Sequence, residues 1–466
     1  MTSGYAEKLA AYFSGRRWFT GKGRGFSVTH VYTMPWLTES EAGTGARVRI
    51  EIVSVEYDDG RSDSYQFPVA YLPAEDPAYA HALVGTVEDD ELGTVAAYDA
   101  VYLKEASGMF LRGFHKRKES GDVSFRVVEE AELPGEDAVG TVMTAEQSNT
   151  SIAFGNEAIL KLFRRVTSGH NPDIEIQVAL TRRADEHVAP LLGWLHGAWA
   201  DSTGAPVEGD LGMLQVFLRT ATDGWDLATA SVRDLLIEAD LYPDEVGGDF
   251  AGEAERLGEA TAIVHRHLAE IFGTDTLTSD QLGALAAAMG ERLSSAVKTV
   301  PELEAHARGL LDRYDRLARL VVPVQVQRIH GDFHLGQTLR TVNGWKIIDF
   351  EGEPAKPLPE RQARDCVLRD VAGMLRSFSY ASGATLHQFG MTEQLHYRAD
   401  EWTARNSAAF LVGYLGQSAS IPGQQELLAA YEADKAVYEA VYETRNRPAW
   451  LAIPLRAIER IATTEV

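Results

Sequence analysis

The sequence predicts an α+β protein of two lobes, one rich in strands and one mainly helical. Apolar residues alternate over residues 48–52 and 65–69, on either side of an Asp-Asp-Gly turn at residues 58–60, which indicates a hairpin. From residue 231 onward the apolar residues instead recur at helical spacing. A strand–loop–strand pattern at residues 321–349 interrupts these helices and carries a cluster of polar side chains.

These patterns divide the chain into three segments. Residues 1–115 are expected to form a small mixed cap subdomain that ends in a helix at residues 91–114, and residues 223–466 to form the helical C-lobe. Residues 116–222 supply the rest of the first lobe, with strands predicted at residues 123–128, 140–144, 152–163 and 211–218. Gly155 and Asn156 form a two-residue hairpin turn inside the third of these strand segments.

Composition restricts the class of protein. The 466 residues are 45% apolar and 24% charged, which is typical of a soluble globular chain, and no apolar run is long enough to span a bilayer. A formal net charge of -24 argues against nucleic-acid binding, which needs a basic surface. The single cysteine, Cys366, excludes an internal disulfide framework and fits a reducing compartment. We expect a cytoplasmic monomer or weak homodimer without a secretory signal, which binds small molecules rather than nucleic acid or membrane.

The strand–loop–strand segment has the spacing of a phosphoryl-transfer loop. Asp332 lies five residues before Gln337, and Asp349 follows the next strand. In kinases this order places one carboxylate at the acceptor hydroxyl, while a second carboxylate and an amide oxygen hold Mg²⁺. Asp332 is therefore the predicted catalytic base, and Gln337 and Asp349 are the predicted magnesium ligands. The segment predicts an ATP- and Mg²⁺-dependent kinase with a bilobal, protein-kinase-like fold.

Other interpretations of this loop stay open. His330, Asp332 and His334 alternate, so they are also a candidate ligand set of a metallohydrolase, or loop residues with only a structural role. The kinase interpretation is favoured because the His-Gly-Asp and Ile-Asp-Phe-Glu motifs stand at the right distance from each other. Asp370, near the start of a predicted helix at residues 368–378, either anchors backbone N–H groups of the loop or is an ordinary helix N-terminal acid.

Lys161 is the candidate nucleotide lysine. It lies within the apolar run at residues 159–163, where a lysine is unfavourable unless it meets an anion, and it matches the kinase lysine that contacts the α- and β-phosphates. Its expected partner is Glu175, in the first turns of the helix that follows Pro172, although Asp173 is close enough to be confused with it. The alternative is an edge-strand lysine that faces water.

Two further segments are candidates for nucleotide contact. The turn at residues 146–151 reads Glu-Gln-Ser-Asn-Thr-Ser, and Ser148 together with backbone N–H groups could bind phosphate there. The end of the strand at residues 211–218 is predicted to be the hinge that contacts adenine. The predicted hinge residues are Gln215, Val216, Phe217 and Leu218.

One face of the last long helix, together with His334, is a candidate acceptor site. Tyr431, Lys435, Tyr438 and Tyr442 recur at helical spacing, and aromatic rings and charged groups both bind sugars well. A helix packed by tyrosines with a snorkelling lysine is the alternative. The candidate substrate contacts are His334, Lys435, Tyr438, Glu439, Tyr442 and Glu443.

The chain resembles bacterial maltokinases and glucosamine kinases, which are similar to aminoglycoside phosphotransferases. The similarity rests on RRWFTGKGR, EQSNTSI, GHNPDIE, HGDFHLGQTLR, IDFEGEP, LRDVAGMLRSF and KAVYEAVYETRNRPAWLAIPL, which together extend over nearly the whole chain. The resemblance implies the N-terminal cap subdomain of this family, Asp332 as base, Gln337 and Asp349 on Mg²⁺, and Lys161, Glu175 and Ser148 on ATP. It also implies that the helical C-lobe holds the sugar.

Two departures favour glucosamine over maltose as the acceptor. Maltokinases tend to read Asp-Ser-Pro and Ser-Phe-Asp-Tyr-Ala around the Arg-Asp helix, whereas this chain has Cys366 and Val367 in the first motif and Ser379 in the second. The resemblance then implies a kinase that forms glucosamine 6-phosphate. The alternatives are a maltokinase that forms maltose 1-phosphate and a non-catalytic nucleotide-binding regulator. A bound ammonium group needs a carboxylate, for which the candidates are Asp434, Glu439 and Glu443.

Overall fold

The structure, a computed structural model, describes residues 3–37, 45–143, 148–238, 240–354, 356–390, 392–417 and 421–463. The chain divides into two compact units, Met1–Thr181 with Ala189–Arg219, and Arg182–Val188 with Thr220–Val466. The break after Arg219 lies close to the predicted start of the C-lobe, while the division of the first unit after residue 115 stays a prediction. Among the described residues, no helix has both the length and the apolar content that crossing a bilayer requires.

The first unit contains two antiparallel sheets. The strand order is β1-β2-β3-β5-β4 in one sheet, with β11 beside β3, and β6-β7-β12-β13-β10-β9-β8 in the other. The elements are α1 (Ser3–Ser14), β1 (Phe26–Thr33), β2 (Arg47–Tyr57), β3 (Ser62–Leu72), β4 (Leu83–Asp89), β5 (Gly93–Asp99), α2 (Lys104–His115), β6 (Glu119–Ser120), β7 (Val123–Val127), β8 (Gly140–Val142), β9 (Asn149–Phe154), β10 (Ala158–Phe163), β11 (Arg165–Val166), α3 (Pro172–Arg182), β12 (Leu191–Ala200) and β13 (Pro206–Val216).

Both faces of the first sheet are buried. Val53 and Val55 of β2 belong to an aromatic-rich core with α1, whereas Ile50 and Ile52 belong to a second core that includes residues of the seven-stranded sheet. Because side chains alternate between the faces of a strand, burial of both faces leaves residues 50–55 of β2 continuously buried, including the polar Glu51 and Ser54. The predicted hairpin between β2 and β3 is confirmed, with Gly60 in the left-handed region at φ +78°.

The predicted helix at residues 91–114 is wrong in its first half. Residues Gly93–Asp99 form β5, which pairs with β3 and β4, and the α-helix begins only at Lys104, after a short 3₁₀ turn at Ala100–Tyr102. Val95 and Ala97 face the aromatic core while Ala96 and Tyr98 face the other core. Pairing with two neighbouring strands and burial on both faces therefore override the weak helical preference of this alanine-containing segment.

The second unit is mainly helical and carries two small sheets. Its elements are β14 (Thr222–Asp223), α4 (Gly224–Ile237), α5 (Ala251–Phe272), β15 (Thr274–Leu277), α6 (Ser279–Thr299), α7 (Ala307–Ala318), β16 (Val324–Gln327), β17 (Thr338–Thr341), β18 (Gly344–Ile347), α8 (Leu358–Arg361), α9 (Leu368–Phe389), α10 (Glu393–Gln417), α11 (Gln424–Asn446) and α12 (Ala452–Thr463). The largely buried α9 packs against α4, α10 and α11. This buried helix is the support on which the polar loop between β16 and β17 rests.

Candidate active site

A histidine inside the loop ties its backbone to the end of β18. The Nε2–H of His330 donates to the carbonyl oxygen of Ile348 at 2.9 Å, and its Nδ1 accepts from the N–H of Asp332 at 3.3 Å. These two bonds fix a neutral imidazole with the proton on Nε2. The ring is buried and lies between those of Phe333 and Phe350. His330 is thus a structural link between Asp332 and the segment that carries Asp349, and it is not oriented as a metal ligand.

Asp370, near the start of α9, anchors the same loop. Its carboxylate accepts the N–H of His330 at 2.7 Å and the N–H of Gly331 at 2.9 Å, and it lies 3.1 Å from Nε2 of His265. Burial alone would raise the pKa of Asp370, but the hydrogen bonds from His265 and from the loop outweigh it, so its pKa lies below the usual value. Of the two interpretations of Asp370, the loop anchor is the one confirmed. Gly331 makes this approach possible with φ +84°.

Asp332 stands at the wall of a cavity of about 210 Å³ within the second unit. Its Oδ1 accepts a hydrogen bond from Nζ of Lys435, on α11, at 3.3 Å. The cavity is formed by the polar loop and by the facing sides of α6, α9 and α11. Its polar and charged lining residues are Arg292, Asp332, Glu353, Lys356, Asp365, Arg369, Asp370, Tyr431, Asp434, Lys435 and Tyr438.

Most of the charges around this cavity are paired with one another. Arg369 donates to Glu353 at 3.2 Å and to Asp365 at 2.9 Å, and the hydroxyl of Tyr431 also donates to Asp365 at 2.7 Å. Arg292 forms two hydrogen bonds with Asp434, at 2.9 and 2.8 Å. Five carboxylates and four cationic side chains line the cavity, so it carries a small surplus of negative charge.

The two predicted magnesium ligands start from neighbouring backbone positions. The N–H of Ile348 donates to the carbonyl oxygen of Gln337 at 3.0 Å, which brings Gln337 next to the residue that precedes Asp349. Asp349 is half-buried and has a left-handed backbone at φ +68°, a strained conformation for a residue other than glycine. A carboxylate and an amide oxygen are the hard donors that Mg²⁺ prefers, so this pair fits the predicted metal.

The predicted sugar-binding face of α11 needs correction. The Glu439 carboxylate is buried against Arg376, which donates to it at 2.9 and 2.7 Å, and Glu443 is buried against Tyr380 and Arg447. Neither glutamate lines the cavity. Glu439 neutralises the buried Arg376, because a buried arginine requires a carboxylate partner, and the buried Glu443 is paired with Arg447, whose side chain is 44% exposed. Lys435 and Tyr438 do line the cavity, whereas Tyr442 stacks against Tyr438 and is 43% exposed.

His334 also has a local structural role. Its Nδ1 accepts the N–H of Gly336 at 3.1 Å and so caps the short 3₁₀ turn at residues 335–337. Burial lowers the pKa of His334, which keeps the ring neutral as this acceptor role requires. The structure does not place it among the residues that line the cavity. The alternating histidines of the loop therefore act as backbone acceptors rather than as a ligand set.

The nucleotide candidates lie in the first unit. Nζ of Lys161, on β10, is 3.9 Å from Oδ2 of Asp173 on α3, and Asp173 is almost fully buried. Asp173 is thus an ion-pair partner for Lys161, a position that the sequence analysis assigned to Glu175, which lies in the first turn of the same helix. The hairpin between β9 and β10 is confirmed, with Gly155 at φ +59° in its turn.

The predicted hinge already uses two of its backbone N–H groups within the first unit. The N–H groups of Val216 and Phe217 donate to the carbonyls of Pro190 and Glu157, at 3.0 and 2.9 Å. Adenine contact by this segment would therefore use its carbonyl groups or the N–H of Leu218, and Gln215 is half-buried in β13. Ser148 is exposed just before β9, while Glu146 and Gln147 lie outside the described residues.

Several cavity residues carried no functional prediction. Glu353 lies four residues after Asp349, and Arg369 immediately precedes the loop anchor Asp370. Their places next to predicted site residues were the available signal. What the sequence could not show is that Arg369 joins Glu353 to Asp365, or that Arg292 of α6 reaches Asp434 of α11.

Comparison with known proteins identifies a family for the N-terminal residues and relatives that match about two thirds of the chain. Residues 12–102 match the family model of the maltokinase N-terminal cap domain. A glucosamine kinase of Streptacidiphilus jiangxiensis is 30% identical over 329 residues, which are 66% of this chain and 70% of that protein. A glucosamine kinase of Mycolicibacterium smegmatis is 24% identical over 336 residues, which are 68% of this chain and 78% of that protein.

A solved structure supports the fold. A glucosamine kinase in complex with glucosamine, ADP and inorganic phosphate has a TM-score of 0.68 to this chain at 22% identity, and the match covers 99% of both chains. A second structure, a glucosamine kinase in another crystal form, has a TM-score of 0.69 at 21% identity. These similarities confirm the predicted α+β fold with an N-terminal cap sheet and a mainly helical C-terminal part.

Proposed function

This chain belongs to the bacterial glucosamine kinase and maltokinase family, and we propose that it transfers the γ-phosphoryl group of ATP to glucosamine, forming glucosamine 6-phosphate. The observation that carries the proposal is the cavity beside Asp332. The loop around Asp332 is fixed by His330 and Asp370, so the carboxylate is held in place before an acceptor arrives. Such positioning is the main task of a protein that catalyses phosphoryl transfer.

The size and charge of the cavity favour a single amino sugar. Its volume of about 210 Å³ is small next to the roughly 300–1,000 Å³ of pockets for larger ligands. Maltose has two rings and needs more room. An ammonium group also complements a cavity in which carboxylates outnumber cationic side chains.

In the proposed reaction, Asp332 orients the acceptor hydroxyl and takes its proton as the oxygen attacks phosphorus. Asp349 and Gln337 hold Mg²⁺, which supplies neutralising charge to the phosphate oxygens. Lys161, with Asp173 and Glu175 on α3, binds the nucleotide phosphates, and the hinge at residues 215–218 contacts the base. Ser148 contributes to phosphate binding from the adjoining turn.

A parallel assay tests the acceptor. ADP release is measured with glucosamine, glucose and maltose at equal concentrations, and the product is identified by phosphorus–proton NMR coupling. We expect the highest kcat/KM with glucosamine and coupling of phosphorus to the protons on carbon 6. Preferred turnover of maltose with coupling to the proton on carbon 1 would instead identify a maltokinase. ATP binding without turnover of any sugar would identify a nucleotide-binding regulator.

Replacing Lys161 tests the nucleotide site. We expect Lys161→Met to raise the Kd for ATP about tenfold or more, because a hydrogen bond to a charged group contributes about 1.5–3 kcal/mol. Isothermal titration with ATP and Mg²⁺ measures this, and urea denaturation checks that the variant is folded, since Asp173 loses its cation. Lys104→Met removes an exposed lysine at the start of α2 and serves as the control. An unchanged ATP affinity in Lys161→Met would reject the phosphate-binding role.

Asp434 is the ammonium partner that the cavity supports best among the three predicted carboxylates. Unlike Glu439 and Glu443 it lines the cavity, and its partner Arg292 is 50% exposed, so an entering ammonium can compete with the guanidinium for this carboxylate. We expect Asp434→Asn to raise KM for glucosamine about tenfold while KM for glucose changes little. Steady-state kinetics with both sugars measures the difference, with Asp312→Asn in the exposed Arg316 pair as control. Equal effects on both sugars would argue against ammonium recognition by Asp434.

A further inference from the structure

We propose that Lys435 couples hydrolysis of the nucleotide to the presence of sugar, by holding the carboxylate of Asp332 until an acceptor enters the cavity. The inference rests on the proposed kinase function and assigns to Lys435 a role beyond sugar contact. With the cavity empty of sugar, the Lys435 ammonium keeps Asp332 from activating water. When a sugar hydroxyl binds, it replaces the ammonium at that carboxylate.

The Lys435 ammonium contacts the proposed base directly. Nζ of Lys435 lies 3.3 Å from Oδ1 of Asp332, and both side chains line the cavity. The side chains are 30% and 24% exposed, so the pair lies at the cavity wall, partly shielded from solvent but within reach of an entering ligand. The ammonium thus occupies a lone pair of the same carboxylate that must accept the acceptor proton.

Lys435 carries a positive charge at neutral pH. Burial would lower its pKa, but the nearby carboxylates of Asp332, Glu439 and Glu353 outweigh burial, so its pKa lies above the usual value of a lysine. Lys435 is therefore an ammonium throughout the neutral range. It can donate hydrogen bonds to Asp332 but cannot accept a proton in its place.

The same ammonium has a second contact close by. The Tyr438 ring, one helical turn along α11, has its centroid 5.4 Å from Nζ of Lys435, within the range of a cation–π contact. Glu353, another residue of the cavity lining, is among the carboxylates that raise the pKa of Lys435. A lysine side chain has four flexible carbons and a compact charge. It can therefore leave Asp332 for Tyr438 and Glu353 without a change in the backbone.

The two competing reactions differ only in the acceptor. With sugar, the hydroxyl oxygen bonds to the γ-phosphorus, the bond from that phosphorus to the β,γ-bridging oxygen breaks, ADP leaves and the hydroxyl proton passes to Asp332. With water, the same bonds form and break, the products are ADP and inorganic phosphate, and Asp332 again receives the proton. A base that is paired with Lys435 until sugar arrives favours the first reaction over the second.

The test is the ADP release of the full-length protein in ATP and Mg²⁺ without any sugar. We expect Lys435→Met to raise this rate at least about tenfold over wild type, a modest part of the roughly 10²–10⁴-fold that a positioned base contributes. Lys435→Arg keeps a cation and should retain the low rate. Lys298→Met, at an exposed lysine of α6, should behave as wild type. Adding Asp332→Asn to Lys435→Met should remove the extra hydrolysis, which excludes a contaminating ATPase.

Two outcomes overturn the inference while the kinase function stands. One is a sugar-free rate in Lys435→Met that stays at the wild-type level, and the other is an increase that survives Asp332→Asn. Lys435→Gln provides the same comparison if the methionine variant does not fold. Wild-type protein that turns over none of the three sugars would instead overturn the proposed function. ADP release with each sugar is measured in parallel with the sugar-free reaction, so the two failures are distinguished.

Discussion

Asp332→Asn should bind ATP as wild type does and turn over glucosamine about three orders of magnitude more slowly. An amide has nearly the shape of the carboxylate but cannot accept the acceptor proton, and a positioned general base contributes about 10²–10⁴-fold. The loop should keep its conformation, because it is held through the N–H groups of His330, Gly331 and Asp332 rather than through the Asp332 carboxylate. Single-turnover kinetics with glucosamine and ATP titration by calorimetry measure the two quantities.

The control for this substitution is Asp315→Asn, at a largely exposed aspartate of α7, which should leave both quantities unchanged. The lost rate in Asp332→Asn should appear in kcat rather than in the Kd for ATP, because the carboxylate acts on the acceptor. Near-normal kcat would exclude Asp332 as the base. It would also remove the premise of the Lys435 proposal.

Asp370→Asn should lower both the free energy of unfolding and kcat, although Asp370 lies on α9 and not in the loop itself. Its carboxylate accepts N–H groups of His330 and Gly331 and faces Nε2 of His265. An amide cannot accept from all of them, since its nitrogen must face a donor. We expect a loss of about 3 kcal/mol in the free energy of unfolding, as for other broken buried ionic contacts. Urea denaturation measures it, with Asp400→Asn in the exposed Arg456 pair as the control.

The pH dependence of this loss follows from the pKa of Asp370. Because its pKa in the folded protein lies below the usual value, the stability gained from its ionised form is fully present above the pKa of an unfolded aspartate, about 3.9. That stability disappears as the pH falls through the lower pKa of the folded state. The difference between wild type and Asp370→Asn should therefore be largest at neutral pH and shrink below about pH 4. A difference that is independent of pH would contradict the ionic role of Asp370.

Much of the polar loop of the second unit was predictable because it is local in sequence. The interval from His330 to Asp349 contains this loop and the paired strands β17 and β18, and its internal hydrogen bonds connect residues fewer than twenty positions apart. The same holds for the hairpin at Gly155, whereas Asp370 anchors the loop from 39 positions further along the chain. Local spacing fixes such arrangements because backbone geometry allows few alternatives.

Predictions that depended on contacts between residues far apart in the sequence were less accurate. Residues 93–99 became a strand because β3 and β4 flank them, which no local preference encodes. Glu439 and Glu443 lie on the expected helix, but its rotation within the packing turns them towards Arg376 and Tyr380 of α9. Asp173 of α3 lies 3.9 Å from Lys161, while the pairing of Lys161 with Glu175 in the same turn stays a prediction.

The sequence by itself determined the family and the two-lobed α+β class, and it predicted the order of base and metal ligands, because motif spacing and strand or helix periodicity are properties of short segments. Only the tertiary structure decided which charges surround the cavity and which carboxylates neutralise arginines elsewhere. It also placed Lys435 on Asp332, a contact between residues 103 positions apart. Such pairings depend on how helices pack side by side, and a helix of given sequence can present any face until its neighbours bury one of them.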